Sequence, residues 1–429
     1  MNSGSIAFII ICAALVFLMT PALAFFYGGL ERRKNVINTM LMAVIPLGLA
    51  SILWVAIGYS LSFSGDGAWT GNLGHAFFNG VSTSDNSLHG LEIPDALFGG
   101  FQMMFSIITV AILTGSVVGR MRFTPLVIFM AFWLIIVYYP LAHMVWGGGF
   151  LAQIHSIDFA GGNVVHISSG VSALVLALVL GRRRDYTRLE YRPHNIPFVL
   201  LGAGLLWFGW FGFNAGSALA ANGLAVHAFM TTNTAAAAAM LSWVLIEKIT
   251  IGKPTLVGAS TGLVVGLVAI TPGAGFVSLW SSILIGALVS PISYYFISVI
   301  KHKLGYDDAL DAFGAHGVGG IFGGIVTGIF TVPSLALEKG YAGVIYGSGK
   351  LLLAQLEAIL FTIIFSAIAT FVIIKVISLF MSIRVSDREE AIGLDDSEHD
   401  ETAYPTFMGL DSKTLELKYL QLICKKIGE

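Results

Sequence analysis

Charged residues are scarce in this sequence: Asp, Glu, Lys and Arg make up 11% of it, whereas hydrophobic residues make up 56%. Soluble domains usually carry about 25% charged residues. The net charge of −2 also excludes the basic field that nucleic-acid binding requires. The composition therefore indicates a protein whose main solvent is lipid.

Cysteine is equally scarce, with Cys12 in an apolar run and Cys424 near the C-terminus. This spacing predicts neither a disulfide nor a metal site, and we expect no cofactor. Positive charge is missing before the first apolar run, where a cleaved signal peptide would carry it. Met1 to Gly29 are uncharged and the basic residues follow at 32–34. This order predicts a first membrane span with its N-terminus outside the cell.

Long hydrophobic runs, in contrast, are abundant. A helix needs roughly 20 apolar residues to cross hydrocarbon about 30 Å thick. Eleven such runs occur, near 6–29, 36–62, 96–118, 124–146, 163–180, 196–214, 225–246, 255–271, 279–300, 313–331 and 351–381. Gly and Ser dilute the hydropathy of the runs at 163–180 and 255–271. We expect an all-α integral membrane protein with eleven transmembrane helices.

Positive charge is unequally divided between the predicted loops. If the spans alternate in direction, 21 of the 23 Lys and Arg residues lie on one side, counting the last span and the tail. Only Lys339 and Lys350 lie on the other side. Because loops rich in Lys and Arg stay in the cytoplasm, we expect the N-terminus outside and the C-terminus in the cytoplasm.

Two regions follow from these patterns: a membrane domain at 1–383 and a cytoplasmic tail at 384–429. The tail contains the acidic stretch GLDDSEHDETAY at 393–404. Such a composition is typical of a flexible, solvated terminus. Leu and Lys alternate at helical spacing over 412–426, which predicts a short helix there.

Two similar segments indicate an internal repeat. DFAGGNVVHISSG at 158–170 and DAFGAHGVGG at 311–320 each place an Asp ahead of a Gly-rich helix that carries one histidine. His166 and His316 lie in the fifth and tenth predicted spans. Two halves of five helices each must run in opposite directions through the membrane, and this arrangement brings residues of both halves to the midplane. We therefore expect two five-helix inverted repeats followed by a final long helix.

His166 and His316 are the only two of ten histidines placed well inside predicted spans; His143 and His227 fall near span ends and the others in loops or the tail. An ionisable side chain at that depth usually faces a cavity or a partner. A single such histidine could be a packing residue, but two at equivalent positions favour a shared functional site. Two neutral imidazoles can bond each other and pass on a small polar molecule or a proton. A metal site is disfavoured because no Cys, Asp or Glu lies within one turn of either ring.

Five segments resemble the Amt/Mep/Rh superfamily of ammonium transporters, and specifically its bacterial and archaeal Amt branch. The resemblance covers about residues 5–404. Its motifs are FYGGL at 26–30, DFAGGNVVH at 158–166, WFGFNAGS at 210–217, DAFGAHGVGG at 311–320 and GLDDSEHDETAY at 393–404.

The resemblance implies roles for particular residues along a hydrophobic pore. His166 and His316 match the family's paired pore histidines. Phe105, Trp146 and Ser217 match its external site of ammonium recruitment. Aromatic faces attract a cation by about 0.5–2 kcal/mol, and a hydroxyl oxygen accepts an N–H bond that K⁺ cannot donate.

Two further matches concern the pore entrance. Phe105 and Phe213 match a stacked phenyl gate above the histidines, and Asp158 matches a buried structural and electrostatic carboxylate. Each residue also has a simpler interpretation. Trp146 could belong to an interfacial aromatic belt, the phenylalanines could face lipid, Ser217 could bond its own helix, and Asp158 could cap the fifth span.

The resemblance also implies partners, namely a homotrimeric assembly and a PII signalling protein (GlnK type) that plugs the cytoplasmic pore. The tail departs from the family pattern at Asp400, where glycine is usual, and we expect this departure to alter a tight turn and, through it, PII control. Asn163 stands where the family often has threonine.

Three classes of function remain to be compared. An ammonium transporter, which conducts NH₃ with H⁺ by a separate route, is favoured by the paired histidines. Within this first class, a neutral ammonia channel of the Rh type is the alternative, and Trp146 and Ser217 argue against it. The second class is an ammonium sensor, which would usually carry a fused signalling domain. The third is an intramembrane enzyme, which would need a nucleophile–base pair or a metal cluster in the spans.

Overall fold

The computed structural model describes residues 1–186 and 191–404. Within these residues, eleven helices are long and apolar enough to cross a membrane. They are α1 Ser3–Leu30, α2 Arg33–Phe63, α3 Asp95–Ser116, α4 Phe123–Gln153, α5 Gly162–Leu180, α6 Ile196–Gly216, α7 Gly223–Thr250, α8 Leu256–Gly273, α9 Leu279–Leu304, α10 Phe313–Phe330 and α11 Lys350–Phe380. Two short helices follow, α12 Asp387–Ile392 and α13 Leu394–His399. The predicted all-α membrane fold with eleven spans is confirmed.

The largest difference from the predicted bounds is at α4. The hydrophobic run ends at 146, but after a break at three glycines the chain forms one more helical turn, Phe150–Gln153. A Cβ on Gly147 would lie 2.4 Å from the carbonyl oxygen of Ser62, so only glycine fits against that backbone. The break ends the span close to Trp146.

Glycine allows α5 and α10 to cross in close contact. A Cβ on Gly170 would lie 2.2 Å from the backbone nitrogen of Gly317, and one on Gly320 would lie 3.0 Å from the Cβ of His166. Small residues commonly serve this purpose between helices in lipid. The crossing brings the two histidine-bearing segments together at the centre of the molecule.

The aspartates that cap the two histidine-bearing helices occupy equivalent positions in the two repeats. Asp158 precedes His166 by eight residues, and it is Asp308, not Asp311, that occupies the same place before His316. The Asp308 carboxylate accepts hydrogen bonds from the backbone N–H groups of Ala312 and Phe313, at 3.1 and 2.8 Å. Asp311 instead has a positive φ of 59° and pairs with Lys301. Both repeats thus have an Asp ahead of the histidine-bearing helix, and in the second repeat the capping residue is Asp308.

Residues 384–404 are folded against the helix bundle and do not extend into solvent as their composition suggested. The Lys34 Nζ atom donates to the carbonyl oxygen of Glu390 at 2.7 Å, and Arg122 pairs with Glu389 at 2.7 Å and with Glu398 at 3.0 Å. We call the side of the bundle that carries these contacts the tail face. The helix predicted at 412–426 lies outside the described residues.

Candidate substrate pathway

Asp158 organises the start of α5. Its two carboxylate oxygens accept hydrogen bonds from four successive backbone N–H groups, those of residues 161–164, at 2.6–3.3 Å. These groups have no partner within a helix, and a carboxylate at a helix N-terminus is also favoured by the helix dipole. The capping interpretation therefore describes the geometry of Asp158, and the cap holds His166 one turn further on.

The two pore histidines contact each other. Their Nδ1 atoms lie 3.2 Å apart and their ring centroids 5.3 Å apart, and the side chains are buried. If both rings are neutral, one Nδ1 donates and the other accepts, so the rings are opposite tautomers. One Nε2 atom then carries a hydrogen and the other a lone pair. The pair consequently offers both a donor and an acceptor to a small polar molecule.

A stack of two phenylalanine rings lies beside the histidines. The centroids of Phe105 and Phe213 are 4.3 Å apart with an interplanar angle of 30°, and both side chains are almost fully buried. Phe213 also stacks against His166 at 6.1 Å. The two rings leave little space between them.

Trp146 approaches this stack on the side of Phe105, with ring centroids 6.0 Å apart at 84°. Its indole N–H donates to the carbonyl oxygen of Asp158 at 2.8 Å, so the ring is held by the segment before α5. Ser217, at the end of α6, donates its hydroxyl to the carbonyl oxygen of Phe213 at 2.9 Å. The serine thus bonds its own helix, and this leaves the lone pairs of its oxygen able to accept.

A cavity of about 280 Å³ extends from Phe213 to the tail face. At its inner end both histidines and Phe213 line it, and its walls are largely aliphatic. The Nε2 atom of His166 is buried and finds no hydrogen-bond partner among the described residues. An unpaired polar atom on the wall of an apolar cavity is a place where a small polar molecule can bind.

Two groups of residues in this pathway were missed from the sequence. Trp210 stacks on His166 with centroids 5.4 Å apart, and its indole N–H donates to Thr271 at 2.9 Å. Its place in WFGFNAGS could have indicated it. At the mouth of the cavity, Arg183 makes a bidentate pair with Asp307 at 2.7 and 2.9 Å and lies 3.8 Å from Glu31.

Charge balance at this mouth affects ionisation. Burial alone would raise the pKa of Asp307, but the hydrogen bonds and charge of Arg183 lower it below its ordinary value. The three residues come from the end of α1 and from the loops after α5 and α9, and no pattern in the sequence linked them. Their ion pairs connect the end of α1 to the loops after α5 and α9 at the tail-face end of the cavity.

Comparison with known proteins agrees with this architecture. A profile of the Ammonium Transporter Family matches residues 7–404. The chain is 48% identical to an ammonium transporter of Bacillus subtilis, over 95% of this chain and 100% of the relative. It is 43% identical to ammonium transporter Amt1 of Archaeoglobus fulgidus, over 94% and 100%.

Solved structures give the same result. The crystal structure of Mep2 from Candida albicans superposes with a TM-score of 0.85 and 31% identity, covering 91% of this chain and 88% of that one. A protein described as a sensor Amt protein superposes with a TM-score of 0.85 at 28% identity, covering 92% and 98%. The chain therefore belongs to the ammonium transporter family, and it is a multi-pass transporter of ammonium in the plasma membrane, not an enzyme.

Proposed function

We propose that NH₄⁺ binds at Phe105, Trp146 and Ser217, loses a proton near the Phe105–Phe213 gate, and crosses as NH₃ past His166 and His316. The observation that carries this proposal is the contact between the two histidines at the end of a buried apolar cavity that reaches the tail face. The proton crosses separately, by way of the histidine pair.

Recruitment rests on the faces of the aromatic rings and on the serine oxygen. Trp146 is partly exposed and meets Phe105 edge to face, so an aromatic face that attracts a cation lies beside the phenylalanine stack. The N–H group of Trp146 is already occupied by Asp158, so the ring contributes its face and not a donor that would repel ammonium. Ammonium donates hydrogen bonds whereas K⁺ does not, which favours ammonium at Ser217.

Deprotonation follows from the cost of burying charge. An unpaired ion in an apolar pore loses its hydration, at a cost of several kcal/mol or more, whereas neutral ammonia loses far less. The opposite tautomers of the histidine pair supply one donor and one acceptor for this neutral molecule. Exchange of tautomers would move a proton along the same pair.

Topology and partners form a second part of the proposal. We infer that the tail face is cytoplasmic and the N-terminus external, because 21 of the 23 basic residues lie on that side, in the last span or in the tail. Residues 1–383 form the transport domain and 384–429 the regulatory tail. The protein assembles as a homotrimer and binds a GlnK-type PII protein at the tail face, near the docked helices α12 and α13.

The test is the current through purified protein on a solid-supported membrane, with pulses of ammonium and then of K⁺. We expect a saturable current for ammonium alone, altered in rate or selectivity by His166→Ala with His316→Ala. His302→Ala, an exposed histidine outside the pathway, is the matched control and should leave the current unchanged. A wild-type protein without current that still admits ammonia would be a neutral channel of the Rh type. Absence of both would favour a sensor.

A further inference from the structure

Gln355 is a buried polar residue of α11, the helix that lies outside the two repeats. Its Oε1 atom accepts a hydrogen bond from the backbone N–H of Ile157 at 2.8 Å, and its Nε2 atom donates to the carbonyl oxygen of Ile157 at 2.9 Å. The Nε2 atom also donates to the carbonyl oxygen of Gly324 in α10, at 3.3 Å. The side chain is fully buried. The amide thus holds both polar groups of one backbone residue in the segment between α4 and α5.

The residue that Gln355 holds is adjacent to Asp158. The carbonyl oxygen of Asp158 receives the indole N–H of Trp146 at 2.8 Å. The carboxylate of Asp158 is fixed independently, by the four N–H groups at the start of α5. A shift at Ile157 would therefore reach the peptide that orients Trp146 before it affects the cap of α5.

We propose that Gln355 is a positioning residue for ammonium recruitment, which acts through the backbone of Ile157 and Asp158 on the ring of Trp146. The inference rests on the recruitment role of Trp146 proposed above. A buried amide in a membrane helix is costly unless it is hydrogen-bonded, and here its bonds are directed at the residue next to Asp158, whose carbonyl oxygen holds Trp146. The last helix thereby contributes to a site whose side chains all belong to the two repeats.

The first comparison uses Gln355→Leu in reconstituted full-length protein, with Thr362→Val as the matched control. Thr362 is also buried in α11, but its hydroxyl bonds the carbonyl oxygen of Ala358 in the same helix. We expect Gln355→Leu to raise the ammonium concentration for half-maximal current about three- to tenfold, the effect of losing one or two hydrogen bonds. The maximal current per folded protein should change little, and Thr362→Val should match the wild type.

Gln355→Glu separates the effect of the hydrogen bonds to Ile157 from the effect of side-chain packing, because glutamate keeps the shape of the side chain. A protonated carboxyl group can donate to the carbonyl oxygen of Ile157 and accept from its N–H, whereas an ionised one cannot donate. Between pH 5 and pH 8 its half-saturating concentration, relative to wild type, should rise from near one toward the value of Gln355→Leu. A value equal to that of Gln355→Leu at every pH would contradict the inference.

A double-mutant cycle tests the route through Trp146. Gln355→Leu combined with Trp146→Leu should have the half-saturating concentration of Trp146→Leu alone. Independent, multiplicative shifts would overturn the inference, as would a wild-type value for Gln355→Leu. Absence of any ammonium current in the wild type would contradict the proposed function itself, so the two failures are distinguishable.

Discussion

At the scale of single residues, Ser217 combines a structural and a functional interpretation that looked like alternatives in the sequence. Its hydroxyl hydrogen is used within α6, on the carbonyl oxygen of Phe213, while its oxygen can still accept. A serine in this state contributes little to folding, because bonds of this type within a helix are close to neutral in stability. The loss of its hydroxyl should therefore weaken ammonium binding and leave the stability of the fold almost unchanged.

Ser217→Ala should raise the half-saturating ammonium concentration about ten- to hundredfold, since a hydrogen bond with a charged group contributes about 1.5–3 kcal/mol. The melting temperature of the purified protein should stay within a degree or two of the wild type. Ser282→Ala is the control, because Ser282 makes the same kind of bond, to Leu279 at 2.6 Å, in a helix away from the pathway. A lower melting temperature with unchanged half-saturation would show a structural role only.

Asp158 and Asp308 permit a second test, since they cap equivalent segments with different numbers of bonds. Asp158 accepts from four N–H groups and Asp308 from two. An asparagine retains one acceptor oxygen and turns an NH₂ group toward the remaining donors. Asp158→Asn should therefore reduce stability more than Asp308→Asn, by about 1–3 kcal/mol for each N–H group left unpaired.

Thermal unfolding in detergent measures this difference, and Asp66→Asn in an exposed loop is the control. Equal melting temperatures for the two capping variants would contradict the bond count as the cause. The common spacing of these two aspartates from their histidines is visible in the sequence, but the number of N–H groups that each one caps requires the structure. The histidines could be found, because ionisable residues deep in an apolar span are rare.

At the scale of elements, the spans could be predicted because each needs about 20 apolar residues, whatever its neighbours are. Docking of the tail could not, because its partners in the helix bundle lie more than 200 residues away in the chain. Lys34, Asn35 and Arg122 supply these contacts. The composition of an acidic segment predicts that it is solvated, and only the structure shows which basic loops it contacts.

The tail also contains a strained turn. Asp400, at the position where the family resemblance implies a glycine, adopts the left-handed conformation with φ 51° and ψ 36° just after α13. The chain therefore keeps the tight turn despite the substitution, at a conformational cost of about 1 kcal/mol. Asp400 therefore affects the stability of this turn and not its shape.

Asp400→Gly should stabilise the docked tail by up to about 1 kcal/mol, because glycine adopts positive φ without a steric penalty. Hydrogen exchange at the amides of α12 and α13 measures the change, and we expect slower exchange than in the wild type. Asp400→Asn is a matched control with a smaller effect, since asparagine tolerates this conformation only slightly better. Faster exchange in the glycine variant would mean that contacts of the Asp400 side chain outweigh the backbone strain.

At the scale of the whole molecule, the inverted repeat explains why residues far apart in sequence share one pathway. α5 and α10 cross at glycines, and the crossing places His166 against His316 at the end of the cavity. Periodicity and symmetry predicted this encounter. They did not predict that α11 reaches the same region through Gln355, because a helix outside the repeats has no symmetric counterpart.

The central claim is that ammonium is deprotonated in transit and that its proton crosses separately. The most direct measurement is the saturated ammonium current of the reconstituted wild type in H₂O and in D₂O. If a proton leaves ammonium and moves along the histidine pair, the current should fall in D₂O by more than the higher viscosity of D₂O explains. A current reduced only by that viscosity would mean that the ion crosses whole, and would contradict the account.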